Sequence, residues 1–189
     1  MYKVTFNGKE ITVNTESSLF SPKEADRGTL AMLNHVEFSE EAKLLDLGCG
    51  CGIVSLAAAA NGVKPENIVL TDVDALAVRT AEKNMRENGF SGAVFVTGDA
   101  LTNVPGSDFD LILSNPPYHT DFKVAKTFIE KGFNRLKISG RMFMVTKRKD
   151  WYKNKLIAIF GGVKIYEEDG YFVFEAQKRS MTYSTRKKK

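Results

Sequence analysis

The chain has 189 residues, 43% of them hydrophobic and 26% charged, with a formal net charge of +4. That suits one domain with a full core and excludes a disordered or collagen-like chain. No apolar run reaches membrane-spanning length and the first residues lack an apolar signal core, so the expected location is cytoplasmic, with no membrane partner.

Residues 2–13 predict a β-hairpin: Val4 and Phe6 alternate up to Asn7-Gly8, and Ile11 and Val13 alternate away from it. Residues 22–36 predict a helix with Ala25, Leu30, Leu33 and Val36 inward, Ser21 as N-cap and Pro22 at the first position. From residue 43 onward, strands at 43–47, 67–72, 93–99, 109–115 and 141–146 alternate with helices at 52–60, 74–89, 121–138 and 150–160, with Gly89 and Gly140 as helix stops. A closing pair, 163–168 and 171–176, turns at Asp169-Gly170 and must be antiparallel. This alternation predicts one α/β domain over residues 1–177, its sheet largely parallel, with the hairpin at 1–14. Residues 178–189 predict a loose basic tail.

The charge is unevenly spread. No acid follows Glu175, while Lys178, Arg179, Arg186, Lys187, Lys188 and Lys189 do. A second basic block holds Arg141, Lys147, Arg148, Lys149, Lys153 and Lys155 against Asp150 alone, and the rest of the chain is net acidic. Two such blocks on an acidic body point to an anionic partner. Cys49 and Cys51 are separated by one glycine, so a disulfide between them would close a very small, strained ring, and with only His35 and His119 elsewhere a four-ligand zinc site is not expected. Reduced thiols and no metal are expected.

The stretch LLDLGCGCG (44–52) runs a strand through Gly48, Gly50 and Gly52 into a helix. Glycines let the backbone turn sharply and approach a ligand, and the helix start offers unpaired N–H groups. A dinucleotide fingerprint would need glycine where Ile53 stands. Asp46 precedes the loop; the next strand ends in Asp72, placed to accept from ribose hydroxyls, and the following one in Gly98-Asp99-Ala100. Asp99 can take an exocyclic amine while the Ala100 N–H meets a ring nitrogen; each acid can also serve as a helix N-cap. The strand FDLIL ends in Ser114-Asn115-Pro116-Pro117-Tyr118-His119. Prolines end a strand because they cannot donate to the ladder, which leaves the flanking amide and aromatic ring to be explained.

Taken together, LDLGCGCG, LTDVD, GDA and SNPPY resemble the class I S-adenosylmethionine-dependent methyltransferases of the NPPY type, over roughly residues 20–176. The resemblance implies a Rossmann-like, seven-stranded, mostly parallel sheet with an antiparallel last strand and helices on both faces. It implies S-adenosylmethionine as cofactor, with Asp46 and the glycine loop around its methionine portion, Asp72 on the ribose, Val73 along the adenine and Asp99 on the adenine amine. It also implies that Asn115 and the Pro116 carbonyl accept the hydrogens of a planar nitrogen while Tyr118 stacks on its flat face. His119 narrows the likeness to the RsmC-type ribosomal RNA guanine-N2 methyltransferases, as does LFSPKEADRGT (19–29), which implies Phe20, Asp26 and Thr29 near the cofactor. The expected partner is ribosomal RNA or a ribosomal subunit, met by His119, Lys147, Arg148 and Lys149. Two other readings stay open: a glutamine methyltransferase of release factors, and a non-catalytic RNA-binding assembly factor. The RsmC-type enzymes commonly carry a second, degenerate domain at the N-terminus, where this chain begins with the hairpin.

Overall fold

The computed structural model describes residues 1–16, 23–117 and 122–184. β1 (Tyr2–Phe6) and β2 (Lys9–Val13) form the hairpin, with Tyr2 opposite Val13 and Phe6 opposite Lys9. Asn7 and Gly8 take φ of 49° and 73°, the positive values a two-residue turn requires. The hairpin is a sheet of its own. Its buried Phe6, Ile11 and Val13 join the core, and Asn84 and Asn88 hold its edge. Asn88 accepts from the Thr12 N–H at 3.0 Å and donates to the Thr12 carbonyl at 2.8 Å; Asn84 does the same for Asn14 at 2.8 and 2.9 Å. A side-chain amide carries one acceptor and two donors, so it can pair with an open strand edge as backbone would.

The main sheet is built from β3 (Leu44–Leu47), β4 (Ile68–Asp72), β5 (Val94–Thr97), β6 (Phe109–Ser114), β7 (Leu136–Thr146), β8 (Lys164–Glu168) and β9 (Tyr171–Gln177). Their order is β5-β4-β3-β6-β7-β9-β8. β9 runs antiparallel to both its neighbours and every other pairing is parallel. The cause is local: Asp169 and Gly170 (φ 50° and 76°) make a tight turn, so the last strand must fold back along β8. The helices α1 (Arg27–Leu33), α2 (Ile53–Ala60) and α3 (Ala75–Glu87) cover one face with the hairpin; α4 (Lys123–Arg135) and α5 (Lys149–Phe160) cover the other. All eight residues of α2, IVSLAAAA, are buried, since the helix lies between the sheet and its neighbours. Strand order reverses between β3 and β6, which opens a crevice at the carboxyl ends of those two strands.

Three expectations need correction. The first helix begins at Arg27, and its N-cap is Asp26, whose side chain accepts from the Thr29 N–H at 2.8 Å. The proposed N-cap Ser21 and Pro22, expected at the first helical position, lie outside the described residues. The helix expected at 121–138 ends at Arg135, because Leu136 already pairs with Phe109 in the sheet. Gly140 therefore sits inside β7 rather than stopping a helix: a Cβ there would lie 2.7 Å from the Phe109 carbonyl, beside a register shift in the ladder.

The tail is the third. It is anchored at Lys178, Tyr183 and Ser184, although 179–182 between them are exposed. Lys178 exchanges backbone hydrogen bonds with Ser139 and Gly140, extending the ladder, and its buried ammonium donates to the Leu136 carbonyl at 2.7 Å, 4.9 Å from the Phe133 ring centre. Tyr183 meets the edge of Phe133, and the Ser184 N–H bonds the Ile159 carbonyl. A lysine stem is apolar enough to be buried when its ammonium finds an acceptor. Residues 185–189 lie outside the described set.

Candidate active site

The crevice is a cavity of about 470 Å³, within the usual range for a small-molecule site. Its first wall is the loop after β3. Gly48, Gly50 and Gly52 all take positive φ, and the loop is anchored across strands: the Gly48 and Cys49 N–H groups both bond the Thr71 carbonyl, at 2.9 and 3.0 Å. The Gly50 N–H bonds Asp72 Oδ2 at 3.0 Å, so the carboxylate at the end of β4 also shapes the glycine loop. The second oxygen of Asp72 accepts from the Asp74 N–H.

Asp46 lies at the foot of this wall with 2% of its surface exposed. One oxygen accepts from the Ser55 N–H at 3.2 Å and the Ser55 hydroxyl at 2.7 Å. Burial pushes its carboxyl up to about 7, outweighing those two bonds, and the charge of Asp72 acts in the same direction. Cys49 and Cys51 are buried in the same wall, and burial raises both thiols, so they stay protonated and unreactive.

The far wall is Gly98-Asp99-Ala100, with Val73 at the lip. Val73 is 72% exposed although apolar, a surface ready to be covered by a flat ring. Gly98 has a steric cause the sequence alone does not reveal: a Cβ there would stand 2.5 Å from the Thr102 carbonyl. Ala100 adopts φ 54°, a left-handed kink that completes the turn.

The floor comes from the end of β6. Ser114 donates to the Leu47 carbonyl at 2.7 Å, clamping β6 to β3, and Asn115 follows into the cavity. Asn115 Nδ2 lies 2.6 Å from Asp26 Oδ1 and 2.9 Å from Thr29 Oγ1. Pro116 is buried and Pro117 exposed at the cavity. Phe20, Tyr118 and His119, all named from the sequence, lie outside the described residues.

β6 and β7 are parallel neighbours, with Ser114 opposite Met144, so the basic run after β7 emerges at the same sheet edge as Asn115. Each of its cations lies on an aromatic ring: Lys147 over Tyr171 at 4.8 Å, Arg148 over Phe122 at 5.0 Å, Lys149 over Phe172 at 4.9 Å. Phe122 stacks on Trp151 with centres 4.3 Å apart. Tyr171 also fills the space beside Gly28, where a Cβ would meet its ring at 2.7 Å, so Lys147 is tied to the Asp26–Thr29 turn.

Of the residues named from the sequence, Asp46, Gly48, Gly50, Asp72, Val73, Asp99, Ala100, Thr29 and Asn115 line one cavity. Gly52 does not. It caps α2 at φ 88°, and a Cβ would crowd the Ala81 Cβ at 3.0 Å, so its glycine is required by the packing of α2 on α3. Sequence reasoning missed Tyr2 from the hairpin and Val124 and Phe128 from α4, which close the cavity with apolar surface. Nothing in their local patterns distinguishes them from core residues. Among the described residues no cluster of three or more His, Cys, Asp or Glu is placed to hold a metal, and no helix is long and apolar enough to cross a membrane.

Comparison with known proteins agrees with this geometry. The family described as "Methyltransferase small domain" matches residues 10–175. "Ribosomal RNA small subunit methyltransferase C" of Cronobacter sakazakii is 32% identical over 167 residues, 86% of this chain and 48% of that protein. The protein YbxB of Bacillus subtilis is 32% identical over 176 residues, 90% of this chain and 87% of its own length. Among solved structures, the Thermus thermophilus 16S rRNA N2 G1207 methyltransferase RsmC, in complex with AdoMet and guanosine, superposes with a TM-score of 0.86 at 26% identity, covering 94% of this chain and 50% of that one. The chain thus spans about half the length of the small-subunit methyltransferases it matches. By the extent of that family match, and with the cavity formed by its glycine loop and strand-end acids, the chain belongs to the methyltransferase small domain family.

Proposed function

We propose that this protein transfers a methyl group from S-adenosylmethionine to an exocyclic amine of a base in ribosomal RNA, the N2 of guanine. The observation that carries the reading is the placement of Asn115 on the floor of the acid-lined cavity, at the sheet edge where Lys147 and Arg148 emerge. The cofactor is S-adenosylmethionine; when bound it supplies a methyl group on a cationic sulfur that leaves as a neutral thioether. The residues fit it: Asp72 and Asp99 are acceptors for ribose and adenine donors, Val73 offers a flat apolar lip, and Asp46 favours a cation.

The target nitrogen is a poor nucleophile because its lone pair is delocalised into the ring. Asn115 Oδ1 and the Pro116 carbonyl accept hydrogen bonds from its two N–H groups, drawing it towards tetrahedral geometry and aiming the lone pair into the cavity; once methylated, the nitrogen releases one proton to solvent. This is catalysis by positioning and polarisation, with no covalent enzyme intermediate. The exposed cations Lys147 and Arg148, with Lys149 behind them, hold the phosphates of the RNA.

The test is transfer of labelled methyl from S-adenosylmethionine to naked ribosomal RNA, small subunits and release factors side by side, followed by nucleoside digestion and mass spectrometry. N2-methylguanine is expected. N6-methyladenine, methylglutamine in a release factor, or no transfer to any of them would overturn the reading.

A further inference from the structure

Asn115 spends both of its side-chain N–H groups inside the protein. One faces Asp26 Oδ1 at 2.6 Å, the other Thr29 Oγ1 at 2.9 Å. Thr29 in turn approaches the same carboxylate oxygen with its hydroxyl at 3.3 Å and its backbone N–H at 2.8 Å. A carboxylate only accepts, so the end of the amide beside it has to be the nitrogen; the assignment follows from chemistry, not from telling N from O. The single Thr29 proton is directed to Asp26, which leaves its oxygen to accept from Asn115. With both donors committed, Oδ1 is what Asn115 has left to offer a molecule in the cavity that Asp26, Thr29 and Asn115 all line.

We propose that Asp26, acting with Thr29, is a positioning residue that locks the Asn115 amide so that it presents an acceptor and no donor to the target. The lock restricts the target to a nitrogen that still carries hydrogens, such as an exocyclic amine, and disfavours an unprotonated ring nitrogen or a carbonyl. It rests on the methyl-transfer reading above and deepens it. Asp26 is also the N-cap of α1, so a purely structural role must be separated from positioning. One oxygen, Asp26 Oδ1, both caps Thr29 and faces Asn115, so a residue that caps without a side-chain acceptor is needed to separate them. Glycine is one: it is tolerated at an N-cap and has no oxygen to turn towards Asn115.

Two measurements test the lock. In ¹⁵N spectra the Asn115 side-chain amide pair, identified by its loss in Asn115→Ala, should be protected from solvent exchange; Asp26→Gly should speed that exchange about ten-fold or more. In methyl-transfer assays on ribosomal RNA, Asp26→Gly should lower kcat roughly 10- to 100-fold, with KM for RNA and Tm little changed, while Asp26→Asn, whose amide oxygen can still accept from Thr29 and Asn115, should keep most of the wild-type rate. Wild-type protein that methylates no RNA sinks the functional reading, while the exchange measurement still judges the lock. An Asn115 amide that exchanges equally fast with and without the Asp26 carboxylate overturns the lock, as does an active wild type matched by Asp26→Gly.

Discussion

The two sides of the cavity, one proposed for the cofactor and one proposed for the target, are built differently. The cofactor side is made from consecutive strand ends, β3, β4 and the loop after β5, each contributing one acid and a short backbone turn. Its acids are held by nearby backbone: Gly50 and Asp74 on Asp72, Ser55 on Asp46. The target side is assembled from distant pieces: Asn115 from β6, Asp26 and Thr29 from the first helix, and cations from the end of β7 propped on aromatic rings. A cofactor that never changes can be met by a rigid frame of adjacent strands. A large anionic partner must be met across several elements, and the chemistry there depends on side-chain orientation more than on backbone shape.

Substitutions should therefore split cleanly between the two sides. The largest effect is expected on the target side: Asn115→Ala should cut turnover by roughly 10²–10³ while leaving cofactor affinity intact, as for other lost preorganised polar groups. Single-turnover kinetics with calorimetry of cofactor binding would check both halves, and wild-type turnover in this variant would break the division. Asp72→Ala should do the opposite, weakening S-adenosylmethionine by about 1.5–3 kcal/mol, the worth of hydrogen bonds to a charged group. Because Asp72 also holds the Gly50 N–H, part of that loss will come from the loop itself.

The next effect is a pH dependence confined to the cofactor side. The Asp46 carboxyl is pushed up to about 7 in the fold, above its ordinary value of 3.8. Between those values the native state binds more protons than the unfolded chain, so stability should fall as pH rises through that window and level off above it. A cationic cofactor favours the ionised carboxylate, so affinity should climb as pH rises towards 7, by at most about ten-fold per unit, and then flatten. Calorimetry from acid to neutral pH would show it, and Asp46→Asn should remove both slopes. A wild-type affinity that does not vary across this range would mean Asp46 is ionised throughout.

The smallest effect is on the basic rim. Reversing Lys147 and Arg148 to Glu should leave cofactor affinity unchanged and shallow the log–log salt slope of RNA binding by about 1.4 if each meets one single-strand phosphate, at about 0.7 per contact. A companion truncation belongs after Ser184, not after Gln177, because Lys178 and Tyr183 pack on Phe133 and Ser184 bonds the Ile159 carbonyl. Filter binding across a salt series would separate rim from tail.

How far the sequence could be read follows the same divide. The strand–helix alternation, the antiparallel last strand and the strand-end acids were legible because their signals lie within a few residues of one another: alternating apolar runs, a glycine-rich turn, an Asp-Gly hairpin. Where reading failed, a distant partner had decided. The helix ending at Arg135 gives way because Leu136 finds Phe109, and Lys178 is buried because Leu136 offers it a carbonyl. Gly52, grouped with the cofactor loop by its spacing, answers instead to Ala81 on a different helix.

By itself, then, the sequence determined an α/β sheet with a glycine loop and three acids at strand ends, since backbone propensity and local turns dictate them. Only the tertiary structure decided that Asp26 reaches Asn115, 89 residues away, and that Tyr2 of the hairpin closes the same cavity. Those contacts are made by side chains from separate layers, and a pairing across layers has no period or spacing in the chain from which it can be read.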